Sequence, residues 1–303
     1  MNLSLPGFRV LAAVVLAALL AWPPALAANA DGVGEVVDPL GGRDGFVFNL
    51  LPKSFQRKPT LEMTFNTEVT DYGRMLRPAS PGNPVYYIAE DAGFRQLGWD
   101  VGGEKPPAQA DMERIMKKGL ATNGFLPAAP PAHPAALAVV YYWGSHNKPD
   151  PQTAAMFPQL ALRNRLERAI LVGGKRFAQG MAFSAEYGES PTDRLAKQEF
   201  LNDQAKDEVY FVVASAYDYA ALARGERRLA WRTTMTANST GVAIAETLPP
   251  LLASGAAFFG RETVEPEIGA RPISREGRVL VGTPTVVPDP VVAPAPDSNA
   301  AKK

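Results

Sequence analysis

Trp143, Ser145, His146 and Asn147 are the residues of this chain whose types and spacing suit chemistry. They sit where a strongly apolar run, ALAVVYYWGS (Ala136–Ser145), passes into the polar HNKPDP (His146–Pro151). Strand ends feeding loops are common positions for sites, and an indole beside a hydroxyl, an imidazole and an amide offers a stacking surface with hydrogen-bonding groups next to it. The bland alternative is that Trp143 is core and that Asn147, Lys148, Pro149 and Asp150 are ordinary turn residues. The chain has only two histidines, and the other, His133, stands between prolines in PPAHPA, where an exposed linker position is expected. A Ser/His/Asp set would therefore have to be built on His146, and no Gly-x-Ser-x-Gly elbow accompanies it.

Other chemistries are poorly served. There is no cysteine, which removes thiolate metal ligands, a cysteine nucleophile, disulfides and an acylated cysteine. Asp203, Asp207 and Glu208, or Glu186, Glu189 and Asp193, read as helix-end and loop charges rather than metal ligands. Paired carboxylates in a cleft are enough for glycoside hydrolysis, but 31 acidic residues supply candidates without singling out a pair. VGGKRF (Val172–Phe177) lacks the upstream glycine and the hydroxyl residue of a phosphate loop. Arg224, Arg227, Arg228 and Arg232 surround Trp231, yet Glu226 interrupts them, so they read as a solvated hairpin tip and not as a nucleic-acid surface. No cofactor and no metal is implied.

The elements that must position these residues follow from the pattern. TLEMTFNTEV (Thr60–Val69) alternates as a half-exposed strand and PVYYIAE (Pro84–Glu90) is a second. Ala108–Asn123 is an amphipathic helix with Met112, Ile115, Met116 and Leu120 on one stripe, ended by Gly124. Ala136–Ser145 is a central strand. Thr153–Val172 is a helix kinked near Pro158, with Leu162, Leu166, Ala169 and Ile170 on its stripe. Ser190-Pro191 starts another helix running to Lys206. VYFVVASAYDY (Val209–Tyr219) and RLAWRTTMTA (Arg228–Ala237) form a hairpin around Gly225. Its second strand has Leu229, Trp231, Thr233 and Met235 on a packed face and Arg228, Arg232, Thr234 and Thr236 on a wet one. A helix over Val242–Phe259, bent at Pro249–Pro250, lies on the hairpin. Tyr86, Tyr87, Tyr141, Tyr142, Tyr210, Tyr217 and Tyr219 all fall on these strands, either as packing or as a row on an open face.

The N-terminus predicts export. Arg9 precedes an unbroken apolar run, Val10–Leu20, and Ala25-Leu26-Ala27 forms a signal-peptidase pattern with cleavage after Ala27. The run is short against the about 20 residues that cross a bilayer. A retained anchor over Phe8–Trp22 is the alternative. With Arg9 removed the chain stays close to neutral, without the basic excess of a nucleic-acid binder or a strong membrane-surface binder. The expected organisation is a signal peptide at 1–27, a flexible arm at 28–45, one domain at 46–262, and an extended, partly disordered proline-rich tail at 263–303. The fold class is α+β: a mixed or antiparallel sheet with helices packed on one face, and a C-terminal β-hairpin followed by a helix.

FNLLPKSFQ (Phe48–Gln56) together with YYWGSHN (Tyr141–Asn147) resembles a group of exported bacterial proteins of unknown function. The hairpin and helix resemble the DUF4136-like envelope lipoproteins, in which a strand ending near an Asp leads through a Gly-containing turn to a strand with a Trp. Asp218, Gly225 and Trp231 hold those places. The resemblance implies an α+β envelope domain and supplies no catalytic residue. Without the acylated cysteine, a lipid anchor does not carry over.

Together these readings predict a non-catalytic periplasmic or envelope module that binds an envelope protein or component. The surface would be an open sheet face or the strand end at Trp143–Asn147. Two alternatives stand beside it: an envelope hydrolase using carboxylates or His146 in a cleft, and a homo-oligomer in which Arg278–Val287 adds a strand to its neighbour.

Overall fold

The structure, a computed structural model, describes residues 52–100, 104–187 and 196–275. The expected signal peptide, the arm, the tail strand Arg278–Val287 and the helix start at Ser190-Pro191 lie outside them. Seven strands form one sheet in the order β3-β2-β4-β5-β6-β1-β7. They are β1 (Thr60–Val69), β2 (Val85–Gly98), β3 (Phe125–Pro127), β4 (Leu137–Asn147), β5 (Val209–Asp218), β6 (Leu229–Asn238) and β7 (Glu267–Pro272). β2 runs parallel to β3 and β4, and every other pairing is antiparallel. The chain is therefore α+β with a mixed sheet, and β4, in its interior, is buried along almost its whole length.

Helices cover both faces, not the single face expected. On one side lie α2 (Gln109–Thr122) and α7 (Ile244–Gly255), the latter carrying Pro249 and Pro250 within it. Met112, Met116 and Leu120 of α2 and Leu248, Leu251 and Leu252 of α7 close the main core over Phe65, Met235, Val212 and Val139. On the other side lie α4 (Pro158–Tyr187), preceded by the short α3 (Pro151–Met156), and α5 (Ala196–Lys206). Val172 of α4, Leu201 of α5 and Val209 of β5 make a smaller cluster there. Two short helices, α1 (Asp71–Met75) and α6 (Tyr219–Ala223), follow β1 and β5.

The second layer explains the main departures from the sequence pattern. Thr234 and Thr236, expected on a wet face, are buried, and Thr236 shares a hydrogen bond with Thr64 across the sheet. Two hydroxyls that satisfy each other can be covered at little cost. Within α4 the VGGKRF segment is helical on both sides of Gly174, whose φ of 79° is left-handed. A side chain at Gly174 would stand 2.6 Å from the Asn66 amide, so glycine lets the helix backbone approach β1.

The domain also ends later than expected. Residues 267–272, assigned to the tail from the sequence, pair with β1 as a seventh strand. Arg275 then closes the domain. Its Nε donates to both oxygens of Glu246 at 3.1 Å, and its Nη1 donates to the carbonyls of Lys53 at 2.7 Å and Ser54 at 3.1 Å. Glu246 in turn accepts from the Ala243 N–H at 2.9 Å at the start of α7. This clasp brings the two ends of the described domain together.

Candidate binding face

Alternation along β4 divides the residues singled out from the sequence. Trp143, Ser145 and Asn147 point to the α2–α7 side and His146 to the α4 side, and each is at most 3% exposed. They do not make one surface. Trp143 stacks on Tyr141 with ring centroids 6.1 Å apart, inside the main core. Neighbours on a strand face opposite ways, so Ser145 and His146 do not form a nucleophile and base pair. His133 is exposed and stacks on Tyr86 at 4.3 Å.

His146 instead joins a buried polar group beneath α4. Its Nε2 lies 3.5 Å from Glu167. Asn164 donates to the Asn147 carbonyl at 3.1 Å, and Arg168, also buried, donates to the Asn164 side chain and, at 3.1 Å, to the Ala205 carbonyl. Burial lowers the Arg168 guanidinium to about 10. Burial first, and then the charge of Arg168, hold the imidazole of His146 below its ordinary value; Glu167 and the Asn147 backbone pull the other way. Gly98, with φ of 72°, passes so close that a side chain there would stand 2.3 Å from the Asn147 carbonyl. Asn164, Glu167 and Arg168 were not legible as partners of His146. The expected stripe of α4 put Ile170 inward, whereas Ile170 is 45% exposed and Arg168 takes the buried side.

The carboxyls whose protonation shifts are, among the described residues, Asp150, Asp218, Glu246 and Glu262, all held below their ordinary values. Each cause is a structural hydrogen bond: Thr153 at the start of α3, Tyr72, Arg275 and Arg74 respectively. None is raised as a general acid would be. Among the described residues no three His, Asp or Glu side chains are grouped as a metal site. No helix of those residues is long and apolar enough to cross a membrane.

The tyrosines sort by face. Tyr87, Tyr141 and Tyr210 are buried on the α2–α7 side. Burial pushes the Tyr87 hydroxyl up to about 12 and raises the other two further. Tyr86, Tyr142 and Tyr217 point the other way and are half-buried. That is because, among the described residues, α4 covers β1 and β6 and, with α5, the ends of β4 and β5, and none covers the β2–β4–β5 part of this face. On it Ile88 flanks Ala138 and Tyr217, and Glu90 flanks Val140, Ser215 and Arg232. Arg95 is exposed, lies 4.7 Å over the ring of Tyr142 and makes no ion pair with a described residue. Arg232 donates to Ser215 at 3.1 Å. Arg95 escaped the sequence reading because β2 continues past Glu90 through a bulge at Asp91–Phe94, where Gly93 takes φ of 77° and donates to Asp91 at 2.7 Å.

No protein-family model matches the chain, and no curated protein matches it either. Among solved structures it is similar to a PelC dodecamer from Paraburkholderia phytofirmans, a single-substitution variant, at 12% identity over 64% of this chain and 93% of that one. The TM-score is 0.28, too low for the likeness to carry an argument. At the β5–β6 connection Asp218 caps α6 through the Ala221 N–H at 2.8 Å, Gly225 has φ of 85°, and Trp231 is buried.

Proposed function

We propose that this chain is an exported, envelope-associated binding module that engages a protein or other envelope component through the uncovered half of its sheet. The observation that carries this is the group Tyr86, Ile88, Val140, Tyr142 and Tyr217, half-buried or exposed on one face beside the exposed guanidinium of Arg95. Tyrosine and arginine dominate the energetics of protein recognition because each offers a large, stiff contact area with a polar end. On a rigid sheet these side chains lose little entropy on binding. The strand end at Trp143–Asn147, buried as it is, acts from behind by fixing β4.

Export enters this reading from the N-terminal pattern of Arg9, Val10–Leu20 and Ala25-Leu26-Ala27. The test is in-cell cross-linking of the full chain, followed by sizing of the envelope fraction. The reading predicts a discrete higher-mass species that Arg95→Glu with Tyr142→Ala abolishes, while the variant keeps a cooperative thermal transition. A species that survives both substitutions would move the interaction off this face.

A further inference from the structure

We propose that His146 is a proton-operated latch, holding α4 against the sheet at neutral pH and releasing it on acidification. The geometry is that of a hinge pinned at one end. The first half of α4 meets the end of β4 through polar contacts: Asn164 to the Asn147 carbonyl, Arg168 to Asn164 and the Ala205 carbonyl, and Glu167 beside His146 Nε2. Two small apolar clusters back this end among the described residues, Ala169 and Leu166 with Ala205 and Met181, and Val172 with Leu201 and Val209. The opposite helical layer is held by the much larger main core, with Asn123 and the Thr67–Thr233 pair as its buried polar contacts and no ionisable group among them.

The charges around the ring decide the sign. α4 contributes the buried Arg168 and the half-exposed Glu167, whose other oxygen accepts from Arg163 at 3.1 Å. Asp207 and Glu208, between α5 and β5, act on Arg168, and Asp207 pairs with Lys148 at 3.2 Å. β2 sets Leu97 beside His146 in register and brings Gly98 against the ring, and neither carries a charge. His146 Nδ1 has no close hydrogen-bond partner among the described residues, and besides Glu167 only the Asn147 backbone favours the charged ring. A second proton would thus create a buried cation beside Arg168, with a single carboxylate that is already shared. An imidazole freed by undocking takes that proton without penalty. The docked state therefore loses stability as pH falls below the ordinary histidine value of 6.5. Undocking would bare Val172, Val209 and the buried threonines, enlarging the open half of the same sheet face.

The experiment is hydrogen exchange of the full chain, corrected for intrinsic rates, from about pH 7.5 to about pH 5. The opening equilibrium of Pro158–Val172 should rise by up to about tenfold per pH unit below 6.5. α7 should keep its protection. His146→Gln should abolish the pH dependence. Glu167→Gln, which keeps the histidine and removes the anion that favours its charged form, should leave the onset near 6.5 and deepen the loss of protection toward pH 5, and it decides the matter if His146→Gln does not fold. Constant protection of α4 across the range, equal loss in α4 and α7, or a loss in Glu167→Gln shallower than the parent's would overturn the latch.

Discussion

The two faces of the sheet are built on different principles. The α2–α7 face is sealed by methionine, leucine and aromatic side chains, with Trp231 between Phe125 at 5.5 Å and Phe259 at 5.9 Å. The α4–α5 face is covered only in part by the described residues, and there the buried polar groups are the Thr64–Thr236 pair, Thr234, Asn164, Arg168 and His146. Burial of apolar area supplies most of the favourable free energy of a fold, whereas a satisfied polar contact contributes about 1 kcal/mol net. The first face therefore holds the domain together, and the second is the one that we propose opens, titrates and binds.

Substitutions on the two faces separate these roles. Phe259→Ala, in the dry core, should cost about 3–5 kcal/mol in denaturant unfolding, the largest single effect expected. Arg275→Ala should cost about 2 kcal/mol, because it removes charge-assisted bonds to Glu246 and to the carbonyls of Lys53 and Ser54. A loss from Arg275→Ala as large as that from Phe259→Ala would break the ranking of dry over polar.

The clasp also has a pH signature. Arg275, chiefly by hydrogen bonding, holds the Glu246 carboxyl below its ordinary 4.5. Its stabilisation is complete above that value and is lost as pH falls through the lowered one. Glu246→Gln should make the acid limb of stability against pH shallower and leave stability at neutral pH lower. An unchanged acid limb would remove Glu246 from the account.

Smaller effects belong to the polar face. Thr236→Val should cost about 1–2 kcal/mol, since it leaves the Thr64 hydroxyl buried and alone, while Thr64→Val with Thr236→Val should return close to the parent stability. A double variant worse than the single one would show that the pair contributes more than mutual satisfaction. Tyr142→Ala should cost about 1–2 kcal/mol, from its contact with Arg95 and its edge-on packing against Phe211.

The strands were legible because their signals are local. Thr60–Val69 alternates strictly and forms β1 with those bounds, and the dense runs at Ala136 and Val209 became β4 and β5 within two residues of the expected ends. What could not be read depends on a second helical layer. Nothing in Thr234 or Thr236 says that another threonine will stand opposite, so a polar alternate reads as a wet face. In α4 the competition lay between Ile170 and Arg168 for the buried side. Hydrophobicity favours the isoleucine, but the carbonyl of Ala205 and the amide of Asn164 gave the arginine the partners it needs. β7 was hidden by its Gly269 and Pro272, which read as tail. Of the candidate site, the sequence located β4 and left open which tyrosines face outward, a choice that the alternation of the paired strands then made.

The central claim, that the uncovered half-face is where this protein meets its partner, is tested most directly by photo-crosslinking in cells. A photoreactive residue would replace Tyr142 on the open face and, as a control, Lys117 on the outer side of α2. The account predicts a discrete adduct from position 142 and none from position 117. Adducts equal at both positions, or absent at position 142 alone, would contradict it.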